Sequence, residues 1–335
     1  MRILFILFFS ITLISCSQEY FDHIRRESTP IVSSSGATLA ISGALYSLPD
    51  TEVLDSIITD IDAAKRRIWI ETYTWTEKET LNAVIRAKHR GIDVQVVLEP
   101  NVYNTPWINT ETVKKLQNAG VEFSYAENQR YKFTHIKTWI IDDRWCISTG
   151  NWSYTSFTKN REFIYCSSDT SLLRDIEEIF HSDFHHIRPY FPGGIDPRIG
   201  LAPENIRPWL KHILGNAKKE IIVYNQSISD PEMIHFFEKK SGEGVKISLC
   251  QADHDDDFLS SSGKTSGDIT FLTSKKPYLH AKAFLIDGKE SILGSANLTQ
   301  NALDNNREIL IFFPQNQALY DTVFSFYKKD CHSSS

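Results

Sequence analysis

The sequence predicts an α/β protein made of two similar halves. Three observations carry that expectation. First, His135-Ile-Lys137 is followed by Asp142, and His280-Ala-Lys282 is followed at the same interval by Asp287. Beyond each lies an asparagine, Asn151 or Asn297, and then Asn160-Arg161-Glu162 or Asn306-Arg307-Glu308. Markers that recur in step along one chain indicate an internal repeat. Second, helix patterns alternate with short apolar runs in both halves, which implies a sheet with helices on both faces. Third, a Pro- and Gly-rich stretch from Pro189 to Pro203 separates the halves.

Taken in order, the chain opens with Arg2 and an apolar run from Ile3 to Ile14, then Ser15-Cys16. The run is short for a bilayer span but suits the core of a signal peptide, residues 1–15. Leu13-Ile14-Ser15-Cys16 resembles a bacterial lipobox, which implies cleavage before Cys16 and acylation of its thiol. The plainer alternative is a secretory signal with a coincidental cysteine. The expected location is therefore extracytoplasmic, held at a membrane as a lipoprotein. Residues 16–44, rich in Ser and Thr, are expected to be a tether.

The first repeat is expected over 45–190. Val53, Leu54, Ile57, Ile58 and Ile61 share one helical face. Strand Ile68–Tyr73 follows. Thr76 and Glu79 have the spacing of a capping box for a helix ending near Gly91. Strand Val94–Leu98, a helix over Glu111–Asn118 and strand Val121–Tyr125 complete the series. After a linker at 191–203, the second repeat spans 204–330. Ile206–Leu214 reads as helix, and the run Ala217–Tyr224 matches Ala64–Glu71. Asp230 and Pro231 supply a helix cap and first position, and strand Val245–Cys250 follows.

The net charge is -6, or -7 once Arg2 is removed with the leader. A mildly acidic chain is a poor default partner for nucleic acid, which favours basic surfaces. Lys132, Lys275 and Lys276 precede the two histidines and can make the site mouth locally basic. Besides Cys16, two cysteines fall in each half, Cys146 with Cys166 and Cys250 with Cys331. Within-half disulfides and buried free thiols are both open readings. The acidic loop with Asp253, His254, Asp255, Asp256 and Asp257 reads as solvated, or equally as a substrate-contacting loop at the site rim, rather than metal-binding. His181 and His185, four apart on an expected helix, lack an evident third ligand. No metal and no cofactor is expected.

Both motifs sit on apolar runs with strand character, Phe133–Ile141 and Tyr278–Ile286. Side chains alternate along a strand, so His135 and Lys137 point the same way, as do His280 and Lys282. Asp142 and Asp287 fall at odd offsets and read as structural residues at the strand ends. Two histidines suit phosphoryl chemistry. A neutral imidazole can attack phosphorus, and a protonated one can give its proton to the departing alcohol. The anionic transition state needs donors. Lys137, Lys282, Asn151 and Asn297 are candidates, with the hydroxyls of Thr149 and Ser295 as lesser ones.

This doubled pattern resembles the phospholipase D superfamily, from about Leu45 to about Tyr327. The second copy has the Gly-Ser-x-Asn form as Gly294-Ser295-Ala296-Asn297. The first reads Ser148-Thr149-Gly150-Asn151 and is one residue shorter between Asp142 and the asparagine. The resemblance implies two α-β-α sandwich domains related by a pseudo-twofold axis and sharing one site. It implies His135 as nucleophile, His280 as acid, and Glu162 and Glu308 as the carboxylates that orient them. The expected function is a metal-independent phosphodiesterase of phospholipase D type, a hydrolase of phospholipid head-group esters. Cardiolipin synthase-like phosphatidyl transfer, a secreted nuclease and a non-catalytic surface lipoprotein are the alternatives. The expected partners are a phospholipid substrate and, through Cys16, a membrane; a monomer is expected. Trp107, Trp152 and Tyr154 are candidate lipid contacts near the site.

Overall fold

The computed structural model describes residues 41–126, 129–253 and 269–332. The leader, Cys16 and most of the tether lie outside the described residues, as do His254, Asp255, Asp256 and Asp257.

Two sheets carry the fold. Strands β1 (Ala44–Leu48), β2 (Arg67–Thr72), β3 (Asp93–Leu98), β4 (Glu122–Tyr125), β5 (Lys137–Ile141), β6 (Arg144–Ser148) and β7 (Asn160–Ser167) form the first, in the order β1-β7-β6-β5-β2-β3-β4. Strands β8 (Ile199–Ala202), β9 (Glu220–Asn225), β10 (Lys246–Ala252), β11 (Ile269–Ser274), β13 (Lys282–Ile286), β14 (Glu290–Gly294) and β15 (Glu308–Phe313) form the second, in the order β11-β10-β9-β13-β14-β15-β8. Read from opposite ends, the two orders are the same. In both, three strands run parallel and the rest antiparallel. The duplication seen in the motifs is therefore a duplication of the whole sheet. The short β12 (Tyr278–Leu279) belongs to the second half in sequence but pairs with β7 of the first sheet.

The helices are α1 (Thr51–Ala63), α2 (Lys78–His89), α3 (Thr110–Asn118), α4 (Tyr154–Thr158), α5 (Thr170–Phe184), α6 (Ile206–Gly215), α7 (Pro231–Gly242), α8 (Gln300–Asp304) and α9 (Gln317–Asp330). One apolar core lies outside the first sheet, with Val53, Ile57 and Ile61 of α1 and Leu81 and Val84 of α2. Another lies outside the second, with Leu210 and Leu214 of α6 and Met233 and Phe237 of α7. The largest lies between the sheets. It joins Ile136, Trp145, Phe163 and Ile176 to Tyr224, Leu285, Phe313 and Val323. The halves are thus fused through a common core, which fixes their relative position at the site.

Several sequence expectations hold. Asp230 caps α7, its side chain accepting from the Met233 amide at 2.8 Å, with Pro231 at the first position. The cysteines, left open between disulfides and free thiols, form both within-half bridges, Cys146–Cys166 and Cys250–Cys331.

Others need correction. The cap of α2 is Glu77, which accepts from the Thr80 amide at 2.6 Å. At Thr76 the chain runs beside the first motif copy, where the Thr76 and Glu77 amides both donate to the Trp152 carbonyl, and the helix starts one residue later. The tether ends earlier than residue 44, since Ile41 is buried in the central core and Ala44 opens β1. The linker at 191–203 contains β8, buried throughout. Both strands are short sheet edges without strong alternation, so polarity alone hides them.

Candidate active site

The motif runs are not continuous strands. Each breaks at its histidine, and the break builds the site. Before β5 the chain crosses to the second half: the His135 amide donates to the Arg307 carbonyl at 2.8 Å, and the Arg307 amide donates to the Phe133 carbonyl at 2.8 Å. The mirror crossing is made by β12, which pairs with Asn160 and Arg161, and the His280 amide donates to the Arg161 carbonyl at 3.2 Å. Each histidine is therefore stitched to the other half's Asn-Arg-Glu segment.

That exchange decides which carboxylate meets which imidazole. Nδ1 of His135 lies 3.0 Å from Glu308, and Nδ1 of His280 lies 2.7 Å from Glu162, an ion-pair contact not aligned as a hydrogen bond. Both glutamates are fully buried. With Nδ1 held by a carboxylate, Nε2 of His135 is left to face a substrate, and Nε2 of His280 also lies 3.4 Å from the Lys282 ammonium. The arginines of the two triplets anchor the same segments. Arg161 pairs with Asp330 at 2.6 Å, and Arg307 with Asp183 at 2.7 Å, each at the end of the other half's last helix.

Lys137 and Lys282 are completely buried at the start of β5 and β13. Each ammonium turns back to the carbonyl of its own motif histidine. Lys282 also reaches Gln226 Oε1 at 3.0 Å, His280 Nδ1 at 3.1 Å and, across the seam, the Thr149 carbonyl at 3.4 Å. Burial, followed by the charge of Glu308 acting the other way, leaves Lys137 well below the usual lysine range. Burial also brings Lys282 down to about 8.

Burial pushes His135 down to about 4 against the opposing pull of Glu308, with both lysines adding to the fall. His280 is lowered by burial too, again against its glutamate and again with both lysines adding. Each imidazole thus feels the ammonium groups of both halves, and the four groups form one electrostatic unit. Burial raises Glu162 and Glu308, but the facing imidazole and lysine charges outweigh it, and both carboxyls stay below their ordinary value.

The hydroxyls of Thr149 and Ser295 are not available to a phosphate. Thr149 donates to Glu162 Oε2 at 2.7 Å and accepts from the Phe163 amide. Ser295 donates to Glu308 Oε2 at 2.6 Å and accepts from the Ile309 amide. Both are buried, so their place is behind the glutamates, holding them. Asn151 and Asn297 differ: the Oδ1 of each is buried without a hydrogen-bond partner, which leaves that acceptor unspent.

Asp142 lies away from the imidazoles. It accepts the amides of Lys65, Arg66 and Arg67 at 3.0, 2.7 and 3.2 Å, and Asp287 does the same for Lys218, Lys219 and Glu220 at 2.8, 2.7 and 3.0 Å. Both have positive φ, 54° and 51°, at the turn of a hairpin. The one-residue difference between the motif copies is absorbed there: Gly288, at φ 79°, lengthens the second turn. The two site-facing segments keep the same geometry.

Trp152 is corrected from lipid contact to core. It is 1% exposed and packs edge-on against Trp75 and Trp139 at 4.9 and 5.2 Å. The rings of His181 and His185 lie tilted to each other at 4.5 Å, and no cluster of metal-ligating side chains is found among the described residues. Asp253 pairs with Lys275 at 3.6 Å.

Two neighbours were missed in the sequence. Tyr73 packs edge-on against His135 at 4.9 Å. Gln226, one residue past the end of β9 as Tyr73 is past β2, holds Lys282. Their signal was their shared place in the aligned repeat.

Two imidazoles and two ammonium groups at the seam of two like α/β halves define a phosphodiester-handling site. The family described as "Cardiolipin synthase, PLD-like domain" matches the chain twice, over residues 57–184 and 210–328. The chain belongs to this phospholipase D-like superfamily. Cardiolipin synthase 1 of Bacillus anthracis is 26% identical over 160 residues, covering 46% of this chain and 31% of that protein. The probable cardiolipin synthase YwiE of Bacillus subtilis (strain 168) is 27% identical over 147 residues, covering 42% and 28%. The chain thus spans less than a third of the length of these curated relatives in the matched region. Among solved structures, the phosphatidylserine synthase of Haemophilus influenzae Rd KW20 superposes with a TM-score of 0.67 at 14% identity, covering 88% of each chain. The polyphosphate kinase from Porphyromonas gingivalis superposes with a TM-score of 0.68 at 15% identity, covering 86% of this chain and 50% of that one. At these identities the structures speak for the fold.

Proposed function

We propose that this chain transfers a phosphatidyl group from a phospholipid to an alcohol acceptor, the cardiolipin synthase-like reading, in preference to hydrolysis. One observation carries the chemistry: each histidine has its own buried glutamate, supplied by the opposite half. Two oriented imidazoles can divide the roles of nucleophile and acid.

In this reading Nε2 of His135 attacks phosphorus, and the bond from phosphorus to the head-group oxygen breaks. His280 gives its proton to that oxygen. The acceptor alcohol then loses its proton to His280 and attacks phosphorus, and the phosphorus–nitrogen bond breaks to restore His135. Lys137 and Lys282 balance the charge on the phosphoryl oxygens, with the Asn151 and Asn297 amides as donors. Before a substrate binds, two carboxylates face the two lysines and the two imidazoles. A bound diester adds one negative charge, which favours one further proton on the site and so an imidazolium acid.

The choice of acceptor rests on the cardiolipin synthases among the relatives. Water at the same intermediate would give the phospholipase D reaction. The test is product analysis in excess chelator on phosphatidylglycerol, on phosphatidylcholine with added glycerol, and on single-stranded DNA. Diphosphatidylglycerol with released glycerol supports transfer. Phosphatidic acid alone returns the reading to hydrolysis, and cleaved DNA returns it to a nuclease. Anchoring through an acylated Cys16 at an extracytoplasmic membrane face belongs to the same proposal; acyl labelling that survives Cys16→Ser would sink it.

A further inference from the structure

The site has one conspicuous neighbour that the chemistry leaves unused. Between Glu99 and Glu111 the chain has no charged residue, and it presents Tyr103 and Trp107 to solvent at 70% and 68% exposure. Of the protein's seven tryptophans, Trp107 alone is exposed.

This segment, between β3 and α3, is ordered. Successive turns close it, the Thr105 amide donating to Val102, Ile108 to Thr105 and Thr110 to Trp107, each at 3.0 Å. Val102 and Asn109 are buried and pin its two ends. Asn109 donates to the carbonyls of Tyr73 and Glu99 at 2.9 and 3.0 Å. The Tyr103 amide donates to the Tyr73 hydroxyl at 2.7 Å, and the Tyr73 ring rests on His135. The backbone at Tyr103 is thus linked through one residue, Tyr73, to the His135 imidazole.

We propose that Tyr103 and Trp107 form a membrane-docking rim, seating in the interfacial layer of a phospholipid bilayer and bringing the mouth of the site to its head groups. The inference rests on the lipid reading of the site. Tyr and Trp favour that layer because an apolar ring meets acyl chain while the polar tip stays in water. A loop without charge enters it with no charge to desolvate. The same absence disfavours single-stranded nucleic acid, whose binding combines stacking with cations along the backbone. The stretch at the same place in the second repeat carries Asp253, Asp255, Asp256 and Asp257 in sequence, so its composition lacks the uncharged character of this one.

The test uses the whole chain with phosphatidylcholine–phosphatidylglycerol vesicles brominated on the acyl chains near the head group. Tryptophan fluorescence is expected to be quenched in the wild type and most of the quenching lost in Trp107→Phe, because Trp75, Trp139, Trp145 and Trp152 are buried and Trp69 and Trp209 half-buried. Trp107→Ser with Tyr103→Ser is expected to lower turnover on vesicles by about tenfold or more, while a soluble phosphodiester is turned over as before. Vesicle binding without quenching of Trp107 means that an N-terminal anchor alone holds the chain, and overturns the proposal. So does quenching of Trp107 by oligothymidylate but not by lipid. Quenching by lipid in a chain that makes no phosphatidyl product keeps the docking rim and removes the proposed reaction.

Discussion

Glu308 of the second half holds Nδ1 of His135 in the first at 3.0 Å. The reciprocal pair, Glu162 with His280, closes at 2.7 Å. A site built this way cannot be assembled from either half alone, and its carboxylates serve crosswise.

Crosswise service has a kinetic consequence. Glu308→Gln is expected to impair phosphoenzyme formation, the step of His135, by about a hundredfold or more, since an orienting carboxylate fixes the tautomer of its imidazole. Glu162→Gln is expected to impair proton donation by His280 instead, and an activated ester should recover much of that loss. Rapid-quench measurement with both ester types reads the pattern. Recovery by the activated ester in Glu308→Gln but not in Glu162→Gln would mean that each glutamate serves its own half.

The two motif aspartates predict stability effects without chemical ones. Each satisfies three backbone amides from a residue in the left-handed region. Asp142→Ala and Asp287→Ala are each expected to cost about 1–3 kcal/mol, the range for leaving donors unmet. Asn tolerates the backbone conformation and keeps one acceptor oxygen, so the Asn variants should lose less. Denaturant unfolding gives the numbers. A large fall in kcat with unchanged unfolding would place these residues in the chemistry.

The disulfides differ in the loop they close. Cys146 and Cys166 are 20 residues apart, and Cys250 and Cys331 are 81 apart. On the loop-entropy account, removing the first costs about 3 kcal/mol and removing the second over 4 kcal/mol. Cys331 also follows Asp330, which holds Arg161 next to Glu162, so loss of the second bridge should lower activity as well. Unfolding curves of Cys146→Ser with Cys166→Ser and of Cys250→Ser with Cys331→Ser test the order. Equal stability of both variants to the parent would show that neither bridge matters.

Much of this was legible in the chain. The repeat located both histidines, both lysines and both glutamates, because residues tied to one task keep their spacing after duplication. Strand period placed Asp142 and Asp287 away from the imidazoles. The exchange of Phe133–His135 and Tyr278–His280 between halves was hidden, because an apolar run reads as one strand whether it stays in its sheet or crosses to another. The use of Thr149 and Ser295 was hidden for a related reason. A hydroxyl beside an asparagine can face the ligand or the glutamate behind it, and only the fold selects.

The shifted imidazoles predict an acid optimum. A nucleophile must be neutral, and His135, at about 4, loses that state only as pH falls through about 4. The acid must be charged, and His280, lowered from 6.5, loses its proton below that value as pH rises. The profile of kcat/KM, which reports the free enzyme, should therefore be a bell centred below 6.5.

The histidine variants then separate the roles. His135→Ala is expected to abolish phosphoenzyme and turnover together. His280→Ala should still form phosphoenzyme from an activated ester, whose leaving group needs no proton. In that variant the alkaline fall set by His280 disappears, and the losses that remain belong to the two lysines, Lys137 held well below the usual lysine range and Lys282 at about 8. Phosphate mapped to His280 with His135 unmodified would exchange the two assignments, and a wild-type optimum above pH 7 would overturn the electrostatic account of the pair.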